Sequence, residues 1–178
     1  MTGQLKYVTF DTRMGWVGIL GSTRGVMRAT LPQTSAEEAR RLLGEPADHA
    51  GPSRCLFENM IARLRSYFQA ERVDFPDELD LVGATSFQIK VWGATRLIPY
   101  DNTRSYRWLA AQIARPGAAR AVGMALARNP LPIIIPCHRV VNSDGRLGGF
   151  SGGLEMKRRL LNLEAGASRN RDGSLRHS

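Results

Sequence analysis

The chain has 178 residues, 43% of them hydrophobic, and no apolar run approaches the ~20 residues of a membrane span, so the composition is that of one globular domain or two small ones. Its net charge of +9 is uneven: ten basic and eleven acidic residues leave −1 over 1–85, while fifteen basic and five acidic leave +10 over 86–178. Two cysteines, Cys55 and Cys137, cannot build a disulfide framework, and three scattered histidines lack zinc-ligand spacing, so neither a disulfide scaffold nor a metal is expected.

Residues 4–31 read as three short strands broken by turns at Met14-Gly15 and Thr23-Arg24-Gly25, an antiparallel meander. "SAEEARRLLG" has a capping serine, acids in the first turn and a closing glycine, which predict a short helix. In "SRCLFENMIARLRSYFQA", Leu56, Met60, Leu64 and Phe68 recur every four residues, an amphipathic helix that Cys55 opens as a structural thiol. The acidic connector "ERVDFPDELDLVGA", with one short strand, carries the chain to a domain boundary near residue 85.

From there the pattern is helical. "TSFQIKVWGATRLI" places Phe87, Val91, Ala94 and Leu97/Ile98 on one face, and "SYRWLAAQIA" and "AARAVGMALARN" flank an Arg115-Pro116-Gly117 break. Two short helices joined by such a turn in the basic half fit a helix-turn-helix. The second is unusually smooth: its long charged side chains are Arg120 and Arg128, among alanines and Gly123. Glycine there costs about 1 kcal/mol against alanine, which predicts a close approach to another surface. A bulky arginine on such a helix has the shape of a wedge into a base stack.

"NPLPIIIPCHRVV" is the most unusual run. Pro130, Pro132 and Pro136 bracket the apolar residues Leu131–Ile135, so this segment reads as an edge or isolated extended strand ending at Cys137. A thiol becomes a nucleophile as thiolate, and His138 and Arg139 are the nearby suppliers of a base or positive charge. Neighbours in an extended chain point to opposite sides, so direct contact between Cys137 and His138 requires a turn or a bridging water. Glu164 is one of several acids able to orient the imidazole. These residues alone leave a buried structural thiol and a reactive one open.

Asn129-Pro130, then Ile135-Pro136-Cys137-His138-Arg139-Val140, then Gly148-Gly149-Phe150-Ser151-Gly152-Gly153, resembles the active-site region of the O6-alkylguanine-DNA alkyltransferases. The likeness is strong over 86–165 and extends upstream to "VWGATRLIPY" and "GAARAVGMALARNP". It implies an α+β protein: a small N-terminal antiparallel-sheet domain of ribonuclease-H-like layout (1–85), packed on a mostly helical C-terminal domain with a helix-turn-helix (86–165), and a flexible tail (166–178). It implies direct-reversal DNA repair, in which the alkyl group of O6-alkylguanine in double-stranded DNA moves irreversibly to the protein. O4-alkylthymine is a second candidate lesion.

By resemblance Cys137 is the acceptor, His138 its general base through a water, Glu164 the acid orienting His138, and Asn129 the brace of the turn. Arg120 is the finger entering the duplex, Tyr106 promotes nucleotide rotation, and the carbonyls of Cys137 and Val140 receive the guanine amino group. The Ser151 amide faces O6, Phe150 and Leu126 wall the pocket, and Ala119, Ala121, Gly123, Arg128 and Pro132 complete the substrate and DNA surface. A base inside a duplex hides its O6 substituent, so the chemistry requires flipping into a pocket.

The family's usual glycine after Pro99-Tyr100 is Asp101 here, and Phe150 replaces a common tyrosine. No cofactor or membrane is implied. The expectation is a cytoplasmic monomer, with cooperative assembly on DNA left open. Non-repairing relatives of the family replace the reactive cysteine. A cysteine hydrolase would not explain the charge split, and a helix-turn-helix transcription factor would not need "PCHR" beside a glycine-rich loop.

Overall fold

The computed structural model describes residues 3–174, which form two compact units of mixed α and β structure. Unit 1 comprises Met1–Gln69, Val73–Gly83 and Pro130–Pro132, and unit 2 comprises Ala70–Arg72, Ala84–Asn129 and Ile133–Ser178.

Unit 1 begins with the predicted meander, β1 (Lys6–Thr12), β2 (Gly15–Ser22) and β3 (Gly25–Ala29), joined by tight antiparallel turns. The first turn needs Gly15: its φ is 133°, and a Cβ would lie 2.6 Å from the Gln33 carbonyl oxygen. A two-residue strand, β4 (Gly51–Pro52), pairs parallel with β1, giving the order β3-β2-β1-β4. Helix α1 (Ala36–Leu42) starts where Ser35 accepts the Glu38 amide at 3.1 Å, and the chain leaves it through left-handed Gly44.

Helix α2 (Glu58–Phe68) buries Met60, Ile61, Leu64, Tyr67 and Phe68, as its four-residue period requires. Cys55 precedes it in a 3-10 turn and is exposed, so the structural role expected for this thiol is not found. The acidic connector forms a single bridge, Val26 to Leu79, in place of a strand, and is strapped by Arg63 to Asp77 at 2.7 and 2.8 Å.

In unit 2, α3 (Ser86–Thr95) opens with a reciprocal capping box between Thr85 and Gln88. Helices α4 (Tyr106–Gln112) and α5 (Ala119–Ala127) pack on α3 and on each other, and the Trp92 indole of α3 donates to the Ala125 carbonyl at 2.9 Å. The left-handed residue of the α4–α5 connection is Ala114, φ 58°, rather than Gly117. Two short strands, β5 (Arg104–Ser105) and β6 (Val140–Val141), pair in parallel.

Helix α6 (Leu154–Ser174) runs through most of the expected flexible tail, so residues 166–174 are helical, while 175–178 lie outside the described residues. Leu154-to-Ala165 contributes apolar positions such as buried Leu160, and no proline interrupts the helix from Gly166 to Ser174.

The run Leu131–Ile135 is not extended. It turns, with Ile133 at φ 76°, a strained conformation for a β-branched residue. Leu131, Ile133, Ile134 and Ile135 are nevertheless all buried, and that burial offsets the strain. Among the described residues no helix is long and apolar enough to cross a membrane.

Candidate active site

The turn that the sequence leaves open is present: Cys137–Arg139 forms one turn of 3-10 helix after Pro136, closed by the Arg139 amide donating to the Pro136 carbonyl at 3.0 Å. Successive side chains of a 3-10 helix are spread by about a third of a turn, so cysteine, histidine and arginine each face a different environment. Cys137 is 5% exposed and borders a cavity. The Asn129 carboxamide donates to the Ile135 carbonyl at 2.8 Å and to the Cys137 sulfur at 3.2 Å. Burial pushes the thiol pKa up, against the Asn129 hydrogen bond and the charge of Lys157. The thiol is therefore protonated at neutral pH and needs a base before it can attack.

His138 is fully buried, its Nε2 2.6 Å from Glu164 Oε1 on α6. Against an ionised carboxylate Nε2 carries the proton, which assigns the lone pair to Nδ1. Burial pushes the imidazole pKa down, and Glu164 opposes it.

Arg139 does not serve the thiol. Its Nε and Nη2 donate to Glu164 at 3.0 to 3.2 Å, and its Nη1 donates to the Ile98 carbonyl at 2.8 Å. The main-chain amide of Asp101 also donates to Glu164, 3.0 Å from Oε2. Burial alone would raise the Glu164 pKa; the hydrogen bonds and charges of His138, then Arg139, outweigh it and hold it at about 2.

Asp101 sits at φ 59°. The chain thus keeps the left-handed turn with one of the few side chains that tolerates it, and the turn delivers the amide to Glu164.

A cavity of about 650 Å³ lies over Cys137, walled by Tyr106 of α4, by Ala119, Arg120, Gly123, Met124, Leu126 and Ala127, and by Asn142, Gly149, Phe150 and Ser151. Lys157 of α6, fully buried, closes the loop behind it: its ammonium donates to the carbonyls of Val140 at 2.6 Å, Leu147, and Gly149 at 3.2 Å. Burial pulls its pKa down to about 8, against the opposing pull of Cys137. Gly148, at φ 70°, leaves the space for Tyr106, whose ring a Cβ would meet at 2.9 Å. The Tyr106 hydroxyl donates to the Gly149 carbonyl at 3.3 Å, and its pKa is raised by burial and then by Cys137.

Residues 86–166 match the family model described as "6-O-methylguanine DNA methyltransferase, DNA binding domain". A methylated-DNA–protein-cysteine methyltransferase of Mycolicibacterium paratuberculosis is 50% identical over 161 residues, 90% of this chain and 92% of the relative. The chain belongs to this family. Its fold is similar to that of Mycobacterium tuberculosis OGT, solved in complex with DNA, with a TM-score of 0.77 and 42% identity over 91% of this chain and 94% of that one. It is similar to the methyltransferase of the archaeon Pyrococcus kodakaraensis with a TM-score of 0.65 and 28% identity, over 90% and 99% of the two chains.

Set against the residues expected of an alkyltransferase, Cys137, Tyr106, Ala119, Arg120, Gly123, Leu126, Phe150 and Ser151 gather around one cavity, and His138, Glu164 and Asn129 lie behind Cys137. Ala121 on α5 and Arg128 at its C-cap are exposed but do not line the cavity, and Pro132 falls in unit 1. The Val140 carbonyl accepts from Lys157; a carbonyl has two lone pairs, which leaves one for a base.

No protein neighbour crowds Gly123. A Cβ there would meet the Tyr106 ring at an ordinary 3.7 Å, so its open side is the cavity. The sequence pattern does not single out Lys157, Met124 or Asn142. Lys157 had one legible signal, as one of only three lysines in an arginine-rich chain. Among the described residues no three His, Cys, Asp or Glu side chains gather as metal ligands.

Proposed function

We propose that this methylated-DNA–protein-cysteine methyltransferase repairs O6-alkylguanine in duplex DNA by moving the alkyl group to Cys137. The hydrogen bond from Asn129 to the Cys137 sulfur, at the edge of a cavity large enough for a base, carries the reading. His138 takes the thiol proton through a water, and Glu164 stabilises the imidazolium that forms. The sulfur attacks the alkyl carbon, an S–C bond forms as the C–O6 bond breaks, and the electron pair leaves on the guanine, which takes up a proton. The thioether has no route to hydrolysis, so one protein repairs one lesion.

Tyr106, Lys157 and Asn129 have supporting roles. The Tyr106 hydroxyl lies at the cavity wall, where its single proton can turn from the Gly149 carbonyl, 3.3 Å away, to the flipped base. Lys157 ties down the loop carbonyls and favours the thiolate through its charge. Asn129 fixes the sulfur. Arg120 enters the gap left by the flipped nucleotide, and the +10 balance of residues 86–178 supplies phosphate contacts. Unit 2 carries the transfer and the DNA contacts, and the protein works as a cytoplasmic monomer.

Intact-mass and peptide-map analysis after mixing with a duplex carrying one O6-methylguanine tests this. One methyl group on the Cys137 peptide, saturating at one per protein and absent from Cys137→Ala, is the expected result. Lesion binding without a mass change would overturn it.

A further inference from the structure

Helix α5 presents a stripe to the cavity mouth in which Arg120 and Met124, four residues apart, share one face. The exposed residues of this helix are otherwise alanine, and Arg128 follows it. Met124 is the exception: a long apolar side chain, 61% exposed, on a helix whose other large apolar residues, Val122 and Leu126, are buried. A single exposed apolar residue is ordinary on a protein surface. This one is set apart by its place, one turn from Arg120, at the rim of the cavity that holds Cys137, and between two arginines that match the charge of a phosphate backbone.

We propose that Met124 is a second wedge: it packs against the DNA beside the gap that Arg120 enters, and so holds the duplex in its flipped form. The inference rests on the proposed function and assigns DNA a contact on α5 beyond those implied by resemblance. The physical grounds are three. Proteins that unstack duplexes commonly insert apolar side chains, methionine among them. An unbranched thioether adapts to an irregular surface and makes favourable sulfur contacts at the edges of aromatic rings, such as an exposed base. Small residues around it let the helix backbone come close enough for a side chain of this length to reach the stack.

Single-turnover methyl transfer separates a DNA contact from a pocket wall. The rate is followed against protein concentration with a duplex carrying O6-methylguanine, and separately with free O6-methylguanine base. Met124→Ala should weaken apparent duplex affinity roughly three- to tenfold and slow the free-base reaction, which meets Met124 only at the cavity rim, by clearly less, while Met124→Leu should stay near the parent on both. Because the residue is exposed, neither variant should shift the urea midpoint. An equal loss on both substrates would leave Met124 no role beyond the cavity wall and overturn the inference, and so would an unchanged duplex reaction. Failure of the parent protein to methylate Cys137 on either substrate would sink the functional reading, and the inference with it.

Discussion

Two regions of unit 2 solve opposite electrostatic problems. Behind Cys137, four groups that normally seek water, His138, Arg139, Lys157 and Glu164, are all 8% exposed or less. They are held there by one another and by the carbonyls of Ile98, Val140 and Gly149. On the face of α5 at the cavity mouth, Arg120 and Met124 are exposed, and among the described residues no ion pair positions Arg120. The buried cluster gets its geometry from mutual satisfaction, because an unpaired buried charge costs several kcal/mol. The stripe is preorganised only by its helix and completes its contacts on DNA. Substitutions in the cluster should therefore disturb folding and chemistry together, whereas substitutions on the stripe should disturb DNA alone.

The largest effect should come from Glu164→Gln. Loss of the charge that stabilises an imidazolium should slow single-turnover transfer on the order of 10²- to 10⁴-fold. It also leaves Arg139 without its carboxylate, which should cost about 3–5 kcal/mol in urea unfolding. The pH dependence has a defined sign. The Glu164 pKa is about 2 folded against an ordinary 4.5, so its stabilisation is present above pH 4.5 and is lost as pH falls toward 2. His138, also held below its ordinary value of 6.5, adds a loss of the same sign on acidification. Glu164→Gln should flatten the acid limb of stability; a full acid limb in that variant would break the comparison.

Lys157→Met comes next. Freed from their shared donor, the carbonyls of Val140 and Gly149 should let the loop drift, slowing transfer about 10- to 100-fold. Parent stability should rise between pH 8 and 10.5, where the unfolded chain still holds the lysine proton and the folded one has released it. That rise should vanish in the variant. Arg120→Ala should then weaken duplex binding roughly tenfold by anisotropy with an unchanged urea midpoint, sharpening the contrast between cluster and stripe.

The smallest effect should be Asp101→Gly. The amide that meets Glu164 survives and the left-handed strain is relieved, so transfer should hold and stability should change by at most about 0.5 kcal/mol.

Much of the fold is legible because it follows local rules. The meander turns, the Ser35 cap and the four-residue period of α2 each depend on residues close in sequence. The fate of Leu131–Ile135 does not: an apolar run between prolines reads as a strand, and only packing can reward a left-handed isoleucine. The partner of Arg139 is illegible in the sequence for a similar reason. Adjacency in sequence placed it with the thiol, while the 3-10 turn directs its guanidinium to Glu164, 25 positions away.

By itself the sequence determined the chemistry on offer: one cysteine in a Pro-Cys-His-Arg run, a basic second half, and a smooth helix carrying Arg120. Those are properties of residue types and near neighbours. Tertiary structure alone decided which groups meet, since Asp101 reaches Glu164 across 63 positions and Asn129 and Lys157 converge on the Cys137 region from opposite sides in sequence. The physical reason is that burial sets both the strength of a charge and its need for partners, and burial is a property of the folded chain.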